Sequence, residues 1–190
     1  MSFDPVHDPQ AVHRSLVRAF SYPGIPVSVK DPSSRVPGSS LPPALAVVAL
    51  TLLDAETSYF GEGAEVLGEL TGAGSVPLGE AQFVFATAWD EGLWSQSLSA
   101  AGRGTLADPH RGATVVAFAS AQEPGRVWSA TGPGIEKPLR VFLPGTGAWV
   151  AVRAQACREF PLGVDLLWVQ ESAVVALPRT TKLTPAEEGY

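Results

Sequence analysis

The sequence predicts an α/β protein in which helices cover both sides of a mixed β-sheet. Three observations predict it. Ala113 to Ala119 (A-T-V-V-A-F-A) is apolar on both faces, the mark of a central strand sandwiched by helices. Segments of helical periodicity alternate with short buried-type strands. The last two apolar runs, Val164–Val169 and Ala173–Pro178, are separated by a short polar turn and read as a hairpin.

The elements follow in order. Asp8-Pro9 opens a helix, because Asp accepts from free N–H groups and Pro suits the first helical position. Val12, Leu16, Ala19 and Phe20 share one face of it, and it must stop near Ser21, since Tyr22 precedes Pro23 and Gly24 follows. Ile25–Val29 is extended, with Pro26 confining it to an edge. A second helix opens at Ser40 to Pro43 and runs to about Leu53. It is apolar all round and must be covered all round, by a sheet or by a partner subunit. Then come a strand at Ser58–Phe60, a short helix at Ala64–Leu70, a strand at Gln82–Ala86 and a helix at Asp90–Ala100. After the central strand, Arg126–Thr131 and Leu139–Leu143 read as strands around a Gly132-Pro133-Gly134 turn, and Ala148–Cys157 as a helix. Residues 1–182 form one α/β domain in this reading, and the polar tail 183–190 is loose.

Composition narrows the function. The 190 residues carry 19 acidic against 13 basic side chains, a net charge of −6, with pI near 5.0. That balance argues against general nucleic-acid binding but leaves room for a local basic pocket. Cys157 is the sole cysteine, so no intrachain disulfide and no cysteine-ligated zinc or iron–sulfur cluster is available. The first residues lack the basic and apolar regions of a secretory signal, and a cytoplasmic protein is expected.

The final hairpin carries the clearest chemistry. If Val169 lies opposite Val174, Asp165 falls opposite Pro178 or Arg179, and a carboxylate on an apolar strand meets a guanidinium at the open end. An isolated charge there is costly, so pairing is expected. Two readings stay open: a structural ion pair that locks strand register, or a polar corner of Arg179, Thr180 and Thr181 that receives phosphate or carboxylate. Gly132 and Gly134 flank Pro133 in a turn that can aim N–H groups at an anion, although a plain hairpin turn explains the spacing as well. His7, His13 and His110 are scattered without metal-site spacing, and no G-x-S-x-G nucleophile elbow occurs. Lys30, Lys137 and Lys182 are the only lysines, each expected in a loop or the tail, which disfavours pyridoxal phosphate chemistry.

Glu159-Phe160-Pro161-Leu162-Gly163-Val164-Asp165-Leu166, followed by Ala176-Leu177-Pro178-Arg179-Thr180-Thr181, resembles the C-terminal signature of the PhnH family, the H subunit of the bacterial carbon–phosphorus lyase system. Phe20-Ser21-Tyr22-Pro23-Gly24, Gly112-Ala113-Thr114 and Thr131-Gly132-Pro133-Gly134-Ile135 match in the same order, so the resemblance runs from about Gln10 to Thr181. Departures fall mainly in the loops Lys30–Ser40 and Asp54–Ala81. The resemblance implies a three-layer α/β/α fold like the large domain of pyridoxal-phosphate transferases, without the cofactor. It implies a cytoplasmic homodimer that joins the G, I and J subunits. It further implies an accessory role in forming alpha-D-ribose 1-methylphosphonate 5-triphosphate from ATP and methylphosphonate, with the catalytic residues on a partner subunit and no metal in this chain. The alternative is a non-catalytic module that binds a phosphonate or nucleotide through Arg179, Thr180, Thr181, Asp165, Gly132 and Gly134.

Overall fold

The computed structural model describes residues 7–29, 36, 38–61, 63–86 and 90–186. It is an α/β protein with a seven-stranded mixed sheet and a second, three-stranded sheet. The elements are α1 (His7–Ser21), β1 (Val27–Ser28), α2 (Pro43–Leu52), β2 (Ser58–Phe60), α3 (Glu65–Thr71), β3 (Gly74–Ser75), β4 (Phe83–Ala86), α4 (Glu91–Ala100) and β5 (Thr114–Phe118). They continue with β6 (Gly125–Gly132), β7 (Ile135–Pro144), α5 (Ala148–Ala156), β8 (Asp165–Val169), β9 (Ala173–Leu177) and β10 (Lys182–Pro185). The helix α1 begins one residue before Asp8, and the side chain of Asp8, like Lys30 and residues 1–6, lies outside the described part.

The large sheet has the order β1-β9-β8-β5-β4-β2-β3, which puts β5 at its centre, as its two-sided apolarity requires. From β3 to β8 neighbouring strands are parallel; β9 and β1 close the sheet antiparallel. Strand alternation feeds two cores. Val116, Leu167, Val169, Val174 and Ala176 face α1, α2 and α3. Val115, Ala117, Leu166, Trp168, Val175 and Leu177 face α4, α5 and the small sheet. Ala44 to Ala49 of α2 are all buried within this one chain, so the apolar helix needs no partner to cover it.

The small sheet, ordered β10-β6-β7, departs from expectation. Its strands carry Arg126, Glu136, Lys137 and Arg140, which no buried sheet accepts; Ala130, Val141 and Leu143 are buried in the core, and Trp128, Ile135, Leu139 and Leu183 pack half-buried against it. The segment expected to be a loose tail from residue 183 instead supplies its edge: Lys182 to Pro185 pair with Thr131 to Trp128. Lys137 and Lys182 therefore stand on strands, not loops. Pro185 is tolerated because β10 is an edge.

The two helices on that side are tied end to end. Asp90 caps α4 by accepting from the Leu93 N–H, and the next residue, Glu91, reaches across to the start of α5. Its carboxylate accepts from the backbone N–H groups of Thr146, Gly147 and Ala148 and from the Thr146 hydroxyl, at 2.8–3.1 Å. Beneath, Trp94 and Trp149 meet edge to face at 5.8 Å, and Trp149 Nε1 donates to Pro144 O. Burial alone would push the Glu91 carboxyl up, but these hydrogen bonds outweigh it and hold the carboxyl below its usual value of 4.5. A group with a lowered folded pKa stabilises the fold above its unfolded value and loses that contribution as pH falls through the folded one. Glu91→Gln is therefore expected to cost about 1 kcal/mol at neutral pH. The gap to the parent protein should close below pH 4.5, as followed by urea unfolding across a pH series.

Candidate functional site

The β8–β9 hairpin adopts the register read from its sequence. Val169 pairs with Val174 and Leu166 with Leu177, which leaves Asp165 beside residues 178 and 179 at the open end. Arg179 Nη2 lies 2.6 Å from Asp165 Oδ2, Nε donates to both carboxylate oxygens, and the Arg179 backbone N–H donates to Oδ1 at 2.6 Å. Both side chains are about one-sixth exposed (16% and 17%), so the pair is weakly screened. The guanidinium continues beyond its partner. Nη1 donates to Pro109 O at 2.8 Å and Nη2 to Gly112 O at 3.2 Å, in the turn that precedes β5. Arg179 thus strings together β8, the end of β9 and the entry to the central strand. With Nε, Nη1 and Nη2 all given to protein acceptors, its first task is structural.

The glycines of the resembling motifs sit where the backbone passes too close for a side chain. A Cβ on Gly112 would fall 2.5 Å from Gly163 O and collide with Arg179 Nη1. A Cβ on Gly132 would lie 2.7 Å from Thr180 O, while one on Gly134 would meet Pro23 Cδ at 2.9 Å and Ser21 O at 3.1 Å. Gly134 also has φ of 82°, and the Pro133-Gly134 pair fits a type II turn. The six residues singled out in the sequence therefore fall into three places. Asp165 and Arg179 form the ion pair, Gly132 packs on Thr180 and Thr181 next to it, and Gly134 packs on the Ser21–Pro23 turn.

Beside this corner, between α5 and residues 179–184, is a pocket of about 710 Å³. Arg153, Arg158, Arg179 and Lys182 line it, and among the described residues no Asp or Glu does, against the acidic balance of the chain. Val150, Ala154 and Leu183 give it an apolar floor, and Phe160 stands exposed at its rim.

Arg153 is the residue that sequence reading passed over. It is 3% exposed and donates to Thr181 O and Leu177 O at 2.9 Å and to Pro178 O. Among the described residues its Nε has no partner, and neither has the buried Thr181 Oγ1. Burial pushes the Arg153 pKa down, opposed by the nearby Cys157 and Asp165. One signal could have found it: Trp149, Arg153 and Ala156–Cys157 recur at i, i+4, i+7 and i+8, which sets the arginine on the buried face of α5. Cys157 is half-buried and shares its thiol with the backbone of Val164. His110 is exposed on the short turn Pro109–Arg111.

Among the described residues no group of three or more His, Cys, Asp or Glu is placed to hold a metal ion, and no helix is long and apolar enough to cross a membrane. Residues 2–184 match the family described as bacterial phosphonate metabolism protein (PhnH). The alpha-D-ribose 1-methylphosphonate 5-triphosphate synthase subunit PhnH of Rhizobium meliloti (strain 1021) is 32% identical, over 95% of this chain and 92% of its own length. The putative C-P lyase subunit protein HtxG of Stutzerimonas stutzeri is 33% identical, over 92% of this chain and 85% of its own. With the glycine turns, the hairpin and its ion pair standing where those motifs predict them, the chain belongs to the PhnH family of bacterial phosphonate metabolism proteins.

Proposed function

We propose that this chain is an accessory subunit of the carbon–phosphorus lyase system, needed for making alpha-D-ribose 1-methylphosphonate 5-triphosphate from ATP and methylphosphonate. The observation that carries the reading is likeness over nearly the whole chain to two proteins that are each named as subunits. The geometry supports a building role as well. The motifs behind the resemblance act as close backbone contacts and as an ion pair that joins three segments. Catalytic residues then belong to a partner.

The same proposal includes a cytoplasmic homodimer that docks on the G, I and J subunits. Twofold dimers are the commonest oligomers, which supports it in general terms. The α2 helix does not, because it is already covered. Likeness to the large domain of pyridoxal-phosphate transferases also belongs here, supported by helices on both faces of a mixed sheet. Co-expression of the tagged chain with the G, I and J subunits is expected to return all four on one affinity column. Light scattering of the chain alone should give twice 19.9 kDa. A chain that elutes without the others defeats the assembly, and a 19.9 kDa species defeats the dimer only.

A further inference from the structure

The pocket between α5 and residues 179–184 gathers more cations than the described residues around it offer carboxylates. Asp165 is the carboxylate engaged by Arg179, and among the described residues its charge also bears on Arg153. One carboxylate thus serves two guanidiniums, while Arg158 and Lys182 add two more positive charges at the rim. Arg153 itself is surrounded by carbonyl oxygens, whose dipoles offset a full charge only in part, and burying such a charge is costly. Arg153 and Thr181 both line the pocket, and just behind its surface the buried Arg153 Nε–H and Thr181 hydroxyl have no partner among the described residues.

We propose that this pocket binds a small organic oxyanion with two negative charges on one tetrahedral head, a phosphonate or a phosphate monoester, seated against Arg153 with Arg158 and Lys182 flanking it. Among the described residues the three cations in excess over Asp165 match a dianion better than a single carboxylate, and a side-chain shift of Arg153 or Thr181 would bring their unpartnered donors to head-group oxygens. Val150, Ala154 and Leu183 accept a short apolar or sugar substituent. The site is centred on Arg153, whose Nε is left without a partner among the described residues, not on the Asp165–Arg179 corner, where Nε, Nη1 and Nη2 all have protein acceptors. It stands apart from the subunit assignment, since a lone chain binds or does not bind whatever it assembles with.

The test is calorimetric titration of the full chain with methylphosphonate, inorganic phosphate and AMP. Saturable binding is expected, abolished in Arg153→Met and weakened about tenfold in the double variant Arg158→Gln/Lys182→Gln. The double variant alters two exposed side chains and keeps the fold, so it decides the matter even if Arg153→Met fails to fold. Arg14→Gln, on the exposed face of α1, should bind like the parent protein. A preference for methylphosphonate identifies a free phosphonate as the ligand, and a preference for AMP identifies a nucleotide phosphate. No saturable heat with any probe up to about 10 mM, or unchanged affinity in the double variant, overturns the proposal.

Discussion

Arg179→Ala is expected to lower unfolding stability by about 3 kcal/mol, the cost of stranding a partly buried carboxylate without its cation. In a chain of this length the midpoint of thermal unfolding should fall by about 6 to 12 °C. The loss exceeds that of a surface ion pair for a reason visible in the hydrogen bonds. Removing the guanidinium leaves Asp165 with the Arg179 backbone N–H alone, and it also strips donors from Pro109 O and Gly112 O. Asp165→Ala should cost less, because Arg179 keeps both carbonyl partners and a route to solvent. The double variant should fall well short of the sum of the singles, which a double-mutant cycle in urea measures. An Arg179→Ala loss below about 0.5 kcal/mol would mean that the pair behaves as an ordinary surface contact.

This corner was legible from sequence because a hairpin converts spacing into position. Once Val169 and Val174 are opposite, every later pair follows at one residue per residue, and Asp165 has nowhere to go but beside Arg179. The central strand was legible for a similar reason, since only a strand covered on both faces tolerates A-T-V-V-A-F-A. The parts that were missed depend on distant partners. Lys182 to Pro185 looks like a polar tail until the outer edge of β6 is known to run alongside it. Gly74–Ser75 is too short to carry a period and becomes a strand only by lying against Ser58 and Tyr59. Arg153 has the opposite problem: its helical phase pointed inward, but the one charged residue of a largely apolar helix is normally read as solvent-facing. What holds it inside is the set of carbonyls at Leu177, Pro178 and Thr181, a feature of the chain's end that no local pattern announces.

Gly112→Ala should destabilise the protein by about 2 kcal/mol or more, although alanine is normally welcome in its backbone conformation. Its φ is −64° and its ψ 131°, so no left-handed geometry is involved and an ordinary residue would gain from stiffening the unfolded chain. The cost comes from space alone. The added Cβ lands on Arg179 Nη1 and 2.5 Å from Gly163 O, one a side chain that can give way and the other backbone that cannot. Those two neighbours separate in a cycle. In an Arg179→Ala background the guanidinium is gone, and if it were the only obstacle Gly112→Ala would become neutral. Because the Gly163 carbonyl remains, a residual loss of about 1 kcal/mol should persist. Gly74→Ala is the matched control, with no heavy atom nearer its Cβ than Thr57 O at 4.0 Å, and should leave the urea midpoint almost unmoved. Equal effects of the two substitutions would show that Gly112 is kept small by nothing in this corner. The segment before β5 would then be free to move, and Arg179 would be reaching for a turn it does not hold.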